Sequence, residues 1–261
     1  MNAATALRLP LLVALNGDRV HPGVPRTPPQ LASEARDSVA AGAISVHIHP
    51  YDDNGEMTLE AEPCALAIRA VRAACPGIPM SLSTSAAIEP DPERRHALVA
   101  SWTELPELVT ANQGEPGIVE LCELLLERGI GIEAGLLGLD DARAFVAANL
   151  APRCLRVLLE PLDADPDTAV AHAKAMEQVL DAGSVTIERI YHGEGIASWA
   201  VNRYGISRDC GIRTGLEDCP VLPDGRTAAG NGEVVAAAAA LLRLSAFGAG
   251  SPPRGTRRSA G

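Results

Sequence analysis

The stretch PPQLASEARDSVAAGAISVHIHP, residues 28–50, changes its hydrophobic pattern partway along. Residues 28–43 carry apolar residues at helical spacing, whereas residues 44–50 alternate as a strand does. Two prolines open the helical part and Gly42 closes it, which is common punctuation at the ends of a helix. The stretch therefore predicts a helix followed by a strand, the repeating unit of an α/β protein.

The same unit recurs along the whole chain. Strand-like runs lie at 11–17, 44–50, 79–85, 108–114, 130–136, 154–161, 186–193 and 210–216, and a helical pattern follows each of them. Eight such units with short connections are typical of a closed (β/α)8 barrel, whereas open sheets usually have fewer strands. We predict an α/β protein with a single TIM barrel as its catalytic domain over residues 1–250, and a disordered tail over 251–261.

Composition excludes several classes of protein. No run reaches the roughly 18 apolar residues of a membrane helix, so we expect a soluble protein with no membrane partner. A net charge of −11 argues against nucleic acid as a partner. The six cysteines are scattered without a CxxC pair, which favours reduced thiols in the cytoplasm.

Some familiar enzyme mechanisms lack their residues here. The only lysine, Lys174, lies in a helical stretch, whereas a Schiff-base aldolase needs a lysine on a barrel strand. The chain contains no GxSxG elbow, no P-loop and no GxGxxG after a strand. Serine hydrolases, P-loop nucleotidases and Rossmann dehydrogenases are therefore disfavoured.

Two histidines close together on one predicted strand indicate a metal site. His47 and His49 are two residues apart, so alternation along the strand turns both imidazoles to the same face. Glu217 is the best third ligand, because it follows the eighth strand in RTGLED, where a glycine permits a sharp turn. Glu133 and Glu160 are rival third ligands, and two purely structural histidines are the alternative to a metal site.

Further polar residues at the predicted strand ends suggest chemistry beside the metal. Arg213 and Asp218 flank Glu217, and Asp218 is placed to abstract a proton from carbon next to a carbonyl that the metal acidifies. The alternative is a plain ion pair. Short polar side chains suited to substrate oxygens, or to capping backbone groups, occur at Ser83, Thr84, Thr110 and Asn112.

At this point the sequence resembles a known family, the β-keto acid cleavage enzymes, from Leu11 to Leu242. The motifs that carry the resemblance occur in family order: LNGDRVHPGVPRTP, AGAISVHIHPYDDNGE, LSTS, TANQGE, GIGIEAGL, LRVLLEP, HGEGIASW and IRTGLEDC followed by LPDGR. The resemblance implies a (β/α)8 barrel with a divalent metal, usually zinc, on His47, His49 and Glu217. It also assigns proton transfer to Arg213 with Asp218.

The reaction implied by this resemblance exchanges a β-keto acid with acetyl-CoA and gives acetoacetate and a new acyl-CoA. It assigns substrate oxygens to Ser83 or Thr84 and to Thr110, and it implies a homo-oligomer, a dimer or a tetramer. Alternatives are a zinc-dependent hydrolase or decarboxylase on the same ligands, and a non-catalytic barrel that binds metal or acyl-CoA. Zn²⁺ is not the only cation that fits, because other divalent transition metals bind the same ligand types.

The chain departs from the family pattern after the first strand. Founding members carry a glutamate there that recognises a substrate amino group, whereas this chain reads NGDR, with Asp18 and Arg19. The change predicts a substrate with a neutral or anionic side chain. Arginines at the mouth of the barrel would hold polyanionic CoA, and Arg19, Arg26 and Arg203 are the candidates.

Overall fold

Every predicted strand forms in the structure, a computed structural model that describes residues 7–248. The strands are β1 (Leu11–Ala14), β2 (Ser45–Ile48), β3 (Met80–Ser83), β4 (Leu108–Asn112), β5 (Gly131–Leu136), β6 (Arg156–Leu159), β7 (Glu188–Tyr191) and β8 (Gly211–Thr214). Each is parallel to the next, and β8 pairs with β1 to close the sheet. The predicted TIM barrel is therefore confirmed, and the predicted tail at 251–261 lies outside the described residues.

A helix follows each strand and packs outside the barrel. The helices are α1 (Pro28–Ala41), α2 (Ala61–Ala74), α3 (Pro92–Ala100), α4 (Ile118–Glu127), α5 (Leu139–Ala148), α6 (Pro166–Ala182), α7 (Ser198–Ser207) and α8 (Asn231–Gly248). Local sequence fixes several starts: Asp91 accepts hydrogen bonds from the amides of Glu93 and Arg94 at α3, and Asp165 accepts one from the amide of Thr168 at α6. Over residues 7–248, no helix combines the length and the apolar character that crossing a membrane requires.

The main hydrophobic core lies between the strands and the helices, and the inside of the barrel is different. Outward strand residues such as Val13, Val46 and Ile132 are fully buried in that core. Inside the barrel the apolar contribution is a separate cluster of three, Leu12, Leu158 and Ile190. TIM barrels usually fill this space with branched apolar side chains. In this barrel polar residues replace many of those apolar side chains, and several of the polar residues belong to the candidate site.

Candidate active site

Three potential metal ligands meet at the C-terminal end of the barrel. His47 and His49 come from β2 and its end, and Glu217 follows β8, which is adjacent to β1 in the closed sheet. The Nε2 atom of His47 lies 3.9 Å from Oε1 of Glu217, and Nε2 of His49 lies 3.4 Å from Oε2. One ligand atom from each residue lies within 4.8 Å of the others, so all three can face one ion.

Two glycines let Glu217 reach this position. Gly215 has φ +151°, and a Cβ there would lie 1.9 Å from the carbonyl oxygen of Ala14. Gly17 has φ +59°, and a Cβ there would lie 2.7 Å from Cγ of Glu217. Any other residue at these positions would need both an unfavourable backbone conformation and a displacement of its neighbour. The absence of a Cβ at both positions therefore leaves room for the turn after β8 and for the side chain of Glu217.

Neighbouring residues fix the backbone around the ligands. The buried amide of Asn16 accepts a hydrogen bond from the backbone N–H of His49 at 2.9 Å and donates one to its carbonyl at 2.7 Å. Arg19 donates to the carbonyl of Glu217 through Nε at 2.9 Å and through a terminal nitrogen at 2.8 Å. These contacts fix the backbone of one histidine and of the glutamate.

The donor set fits a divalent transition metal. Two imidazoles and a carboxylate are the protein ligands of many catalytic zinc sites, which keep a fourth position open. Oε2 of Glu217 is buried and accepts no hydrogen bond, although it faces the histidine pair. Burial lowers the pKa of His47 to about 4, so its ring is neutral, the form that binds a metal. Burial opposes ionisation of Glu217, but His49, His47 and Arg213 outweigh it and hold its pKa well below the usual range.

A second cluster of titratable residues lies beside the first and surrounds Arg213. Its guanidinium donates to both carboxylate oxygens of Asp218, at 2.7 Å and 3.3 Å, and reaches Glu160 at 3.4 Å and Glu217 at 3.3 Å. His192 is fully buried between the two carboxylates, 3.4 Å from Asp218 and 3.6 Å from Glu160. Arg213 therefore connects the two clusters.

The two carboxylates that flank His192 have opposite pKa shifts. Burial raises the pKa of both, but Arg213 and His192 outweigh it at Asp218 and hold that pKa below its usual range. At Glu160 burial prevails, and the pKa is raised. Burial likewise opposes the charge of Arg213, but Asp218, Glu160 and Glu217 raise its pKa. Carboxyl groups whose environments separate their pKa values are candidates for different acid–base roles.

Other predicted residues occupy different positions around the barrel end. Ser83 points into the barrel, because it pairs in register with Thr110. Thr84 has the opposite parity and donates from its hydroxyl to the carbonyl of Thr110 at 3.0 Å, so it caps a backbone group. Asn112 donates to Glu115 at 3.0 Å and lines a neighbouring cavity of about 690 Å³. The hydroxyl of Ser83 accepts a long hydrogen bond from the backbone N–H of Ser85 at 3.4 Å, whereas the side-chain amide of Asn112 bonds to no backbone group.

Thr110 lies one layer below, together with a rival ligand candidate. Its hydroxyl is 3.2 Å from Nδ1 of His47 and donates to Oε2 of Glu133 at 3.1 Å. Glu133 accepts from Nε of Arg156 at 2.8 Å through its other oxygen. Burial opposes ionisation of Glu133, but Arg156, Ser81 and His47 outweigh it and lower its pKa. Glu133 is thus committed to Arg156 and Thr110 rather than to the histidine pair, and Glu160 belongs to the second cluster.

A cleft of about 390 Å³ leads to the candidate site. Its lining includes Glu217 and His49, the charged residues Asp18, Arg19, Glu160 and Glu194, and the apolar residues Met57, Ile88 and Leu162. Arg19 forms an ion pair with Glu194, so its charge is already compensated. Arg26 stacks on Tyr51, 4.8 Å from the ring centre. Arg203 lines a cavity with Arg8 and Asp209, which precede β1 and β8, so it lies towards the opposite end of the barrel and is wrong as a mouth residue.

Sequence analysis missed several residues that shape this site. The sequence patterns assigned no role to Ser81, Gly17, Asn16 or His192. Alternation along the strand could have identified Ser81, since it lies two residues before Ser83 and therefore faces the inside of the barrel as Ser83 does. No pattern within one strand reveals that Gly17 touches Glu217, because the contact joins distant parts of the chain.

The chain resembles known proteins in both sequence and structure. A family model described as beta-keto acid cleavage enzyme matches residues 9–127, which include His47 and His49. A 3-keto-5-aminohexanoate cleavage enzyme of Fusobacterium nucleatum is 32% identical over 125 residues, 42% of this chain and 44% of that protein. One of the same name from Acetoanaerobium sticklandii is 27% identical over 143 residues, 51% of this chain and 52% of that protein. The matches span about half the length of these curated relatives.

Solved structures resemble the chain over more of its length. ObcA in a ternary complex with a C4-CoA adduct and oxalate has a TM-score of 0.70 at 17% identity, covering 87% of this chain and 64% of that one. A 3-dehydroquinate dehydratase from Geobacillus kaustophilus has a TM-score of 0.64 at 10% identity, covering 93% of this chain and 96% of that one. At these identities the likeness shows the barrel fold alone. Residues 9–127 nevertheless carry the sequence pattern of the β-keto acid cleavage enzymes, and the predicted resemblance of this chain to that family is confirmed.

Proposed function

We propose that this protein is a zinc-dependent β-keto acid cleavage enzyme. In the proposed reaction a β-keto acid and acetyl-CoA are the substrates, and acetoacetate and the acyl-CoA of the remaining acyl group are the products. The observation that carries the proposal is the meeting of His47, His49 and Glu217 beside the Arg213–Asp218 pair at the mouth of the barrel. The family match over residues 9–127 supports the same class of reaction.

The residues of the site divide the work. His47, His49 and Glu217 would hold the metal, which when bound supplies Lewis acidity that makes the carbon next to a keto group more acidic. Asp218 is ionised and is held at both oxygens by Arg213, so it can accept a proton at a fixed position. Ser83 would bind a carboxylate or keto oxygen of the substrate, and the burial of Arg213 and Asp218 excludes water from the acid–base pair.

Substrate, location and assembly are parts of the same proposal. The apolar side chains in the cleft, Met57, Ile88 and Leu162, favour a substrate without a strong positive charge. Acetyl-CoA would enter by the same cleft. We propose a cytoplasmic homo-oligomer, a dimer or a tetramer, and a divalent transition metal other than zinc remains compatible with the ligand set.

A product assay tests the reaction. Zinc-loaded protein is incubated with acetyl-CoA and a panel of β-keto acids with neutral, anionic and cationic side chains, and mass spectrometry follows both products. We expect acetoacetate and one new acyl-CoA in equal amounts from at least one acid. Consumption of an acid without a new acyl-CoA would contradict the proposal and favour a hydrolase or decarboxylase, and inertness towards the whole panel would favour the non-catalytic barrel.

Replacement of the base separates chemistry from metal binding. Asp218→Asn keeps the shape of the side chain but cannot accept the proton, so turnover should fall by roughly 100-fold or more while zinc binding remains. Zinc content is measured on the same samples by atomic emission. Unchanged turnover in Asp218→Asn would remove that residue from the proposed role.

A further inference from the structure

A row of polar side chains crosses the inside of the barrel beneath the histidine pair. Its members lie on successive strands, and they are His47, Ser81, Thr110, Glu133, Arg156 and Glu188. Neighbours in this row are paired in register except at one step, because Ser81 pairs with Leu108 and Thr110 pairs with Ser83. The contacts are continuous: Ser81 lies 3.3 Å from Nδ1 of His47 and 3.1 Å from Thr110. At the far end Arg156 donates to Glu188 at 3.0 Å, where the carboxylate is 41% exposed.

The row has a single hydrogen-bond direction, which Glu133 imposes. An ionised carboxylate only accepts hydrogen bonds, and a hydroxyl has one proton to donate. Thr110 gives its proton to Glu133, so its oxygen can only accept from its other neighbours. If Ser81 donates to Thr110, the oxygen of Ser81 must accept in turn. His47 contacts Thr110 both directly and through Ser81, and in both cases the donor is the Nδ1–H of His47.

We propose that Glu133, acting through the hydroxyls of Thr110 and Ser81, holds the proton of His47 on Nδ1 and thereby keeps Nε2 free as a metal ligand. The inference rests on the proposed metal site and makes Thr110 a positioning residue rather than a substrate contact. Nε2 is the nitrogen that faces Glu217, at 3.9 Å, so the tautomer matches the geometry. A carboxylate connected to a ligating histidine also raises its basicity as a ligand.

Two variants break the row at different points. Ser81→Ala with Thr110→Val removes both hydroxyls, and Glu133→Gln removes the charge that sets the direction. Their matched controls are Ser38→Ala with Thr214→Val, which removes two buried hydroxyls that have no hydrogen-bond partner, and Glu177→Gln, which removes a buried carboxylate that is paired with Arg208 outside the barrel. Circular dichroism and thermal unfolding verify that each variant folds.

Zinc affinity, measured by competition with a chromogenic chelator, is the first measurement. Both row variants should bind zinc roughly 10- to 100-fold more weakly than the wild type, the usual loss for an outer partner of a ligating histidine. Both controls should bind zinc within about threefold of the wild type. Glu188→Gln, two positions beyond Glu133 in the row, should have a smaller effect than Glu133→Gln. Row variants that bind zinc as tightly as their controls would overturn the inference.

The tautomer itself is the second measurement, and it needs no metal. Long-range ¹H–¹⁵N spectra of the metal-free protein distinguish protonated from unprotonated ring nitrogens, and the signals of His47 are assigned by their loss in His47→Gln. We expect the Nδ1–H form in the wild type and a mixture of tautomers in both row variants. An Nε2–H form in the wild type, or the same tautomer in all variants, would overturn the inference. If the wild type fails to bind zinc, the proposed metal site fails, and the spectra still decide whether the row controls the tautomer.

Discussion

The two titratable clusters at the mouth of the barrel differ in how their negative charge is compensated. In the cluster of Glu160, His192 and Asp218, a guanidinium lies within hydrogen-bond reach of both carboxylates. In the cluster of His47, His49 and Glu217, the same guanidinium reaches one carboxylate oxygen at 3.3 Å, and the other oxygen is buried without a hydrogen bond. Both sets have the composition of a metal site. In the Glu160–His192–Asp218 cluster the compensating cation is the side chain of Arg213. The His47–His49–Glu217 cluster has an arrangement suited to a bound metal ion.

This difference shows why ligand type and proximity are not sufficient to identify a metal site. A second positive ion near Asp218 would be repelled by Arg213 at short range, and the desolvation of that ion would not be compensated. In the histidine cluster burial lowers the pKa of His47 to about 4, and Oε2 of Glu217 accepts no hydrogen bond, so both can bind a cation. This difference supports the proposal that His47, His49 and Glu217 bind the metal and that the neighbouring cluster carries the acid–base chemistry.

Removal of the built-in cation should have the largest effect. Arg213→Met leaves Asp218 and Glu160 buried without their main partner, so the free energy of unfolding should fall by about 3–5 kcal/mol. Urea unfolding of the metal-free protein measures it. The exposed pair of Arg143 with Asp140 is the control, and Arg143→Met should cost less than about 1 kcal/mol. A similar cost for both variants would mean that the guanidinium does not hold the cluster together.

Replacing one glutamate in each cluster shows which cluster is responsible for the stabilisation of the protein by zinc. At a free zinc concentration 100 times its dissociation constant, zinc should stabilise the wild type by about 2.7 kcal/mol. Glu217→Gln should lose most of this gain, because it removes a ligand, and Glu160→Gln should keep it. Thermal unfolding with and without zinc provides the measurement. Equal loss in both variants would show that the two clusters bind the metal as one site.

Substitution of Gly17 tests whether zinc binding depends on the space that this glycine leaves for the side chain of Glu217. Gly17→Ala places a methyl group against Cγ of Glu217, and it should weaken zinc binding by roughly tenfold. Gly55 also has positive φ, at +80°, but a Cβ there meets nothing within 4 Å. Both alanine variants should lose about 1 kcal/mol of stability from backbone strain. Chelator competition should separate them, and equal zinc affinity would exclude the steric explanation.

The smallest expected effect is a pH dependence at Glu160. Its pKa is raised in the folded protein, so its contribution to stability is fully present below the unfolded value of about 4.5 and is lost as the pH rises through the folded pKa. Glu160→Gln cannot ionise. Its free energy of unfolding should therefore rise relative to that of the wild type as the pH increases from about 4.5 to neutrality. Urea unfolding of both proteins across this range measures the difference, and a constant difference would contradict the raised pKa.

Periodicity was sufficient to predict the fold and part of the site. Strand and helix patterns alternate eight times, and these patterns are local, so the barrel could be predicted without coordinates. The position of His47 and His49 on one strand also follows from alternation alone. Glu217 was predicted from its position after the eighth strand and from the turn that Gly215 permits, and in the structure β8 pairs with β1 beside β2.

Contacts between distant segments could not be predicted in this way. The roles of Thr110 and Thr84 depend on the register between β3 and β4 and on which group each hydroxyl meets, and sequence patterns do not specify register between strands. Likewise Arg19, which the sequence suggested as a contact for substrate or CoA, pairs with Glu194 and holds the backbone of Glu217.

The sequence by itself thus determined the order of strands and helices and the residue types at the mouth, because hydrophobic period and turn residues act over a few positions. Only the tertiary structure decided how these residues divide into a cluster suited to a metal, a cluster around Arg213 and a polar row below. The physical reason is that charge compensation and hydrogen-bond direction depend on distances between side chains of different strands. Those distances arise only when the barrel closes.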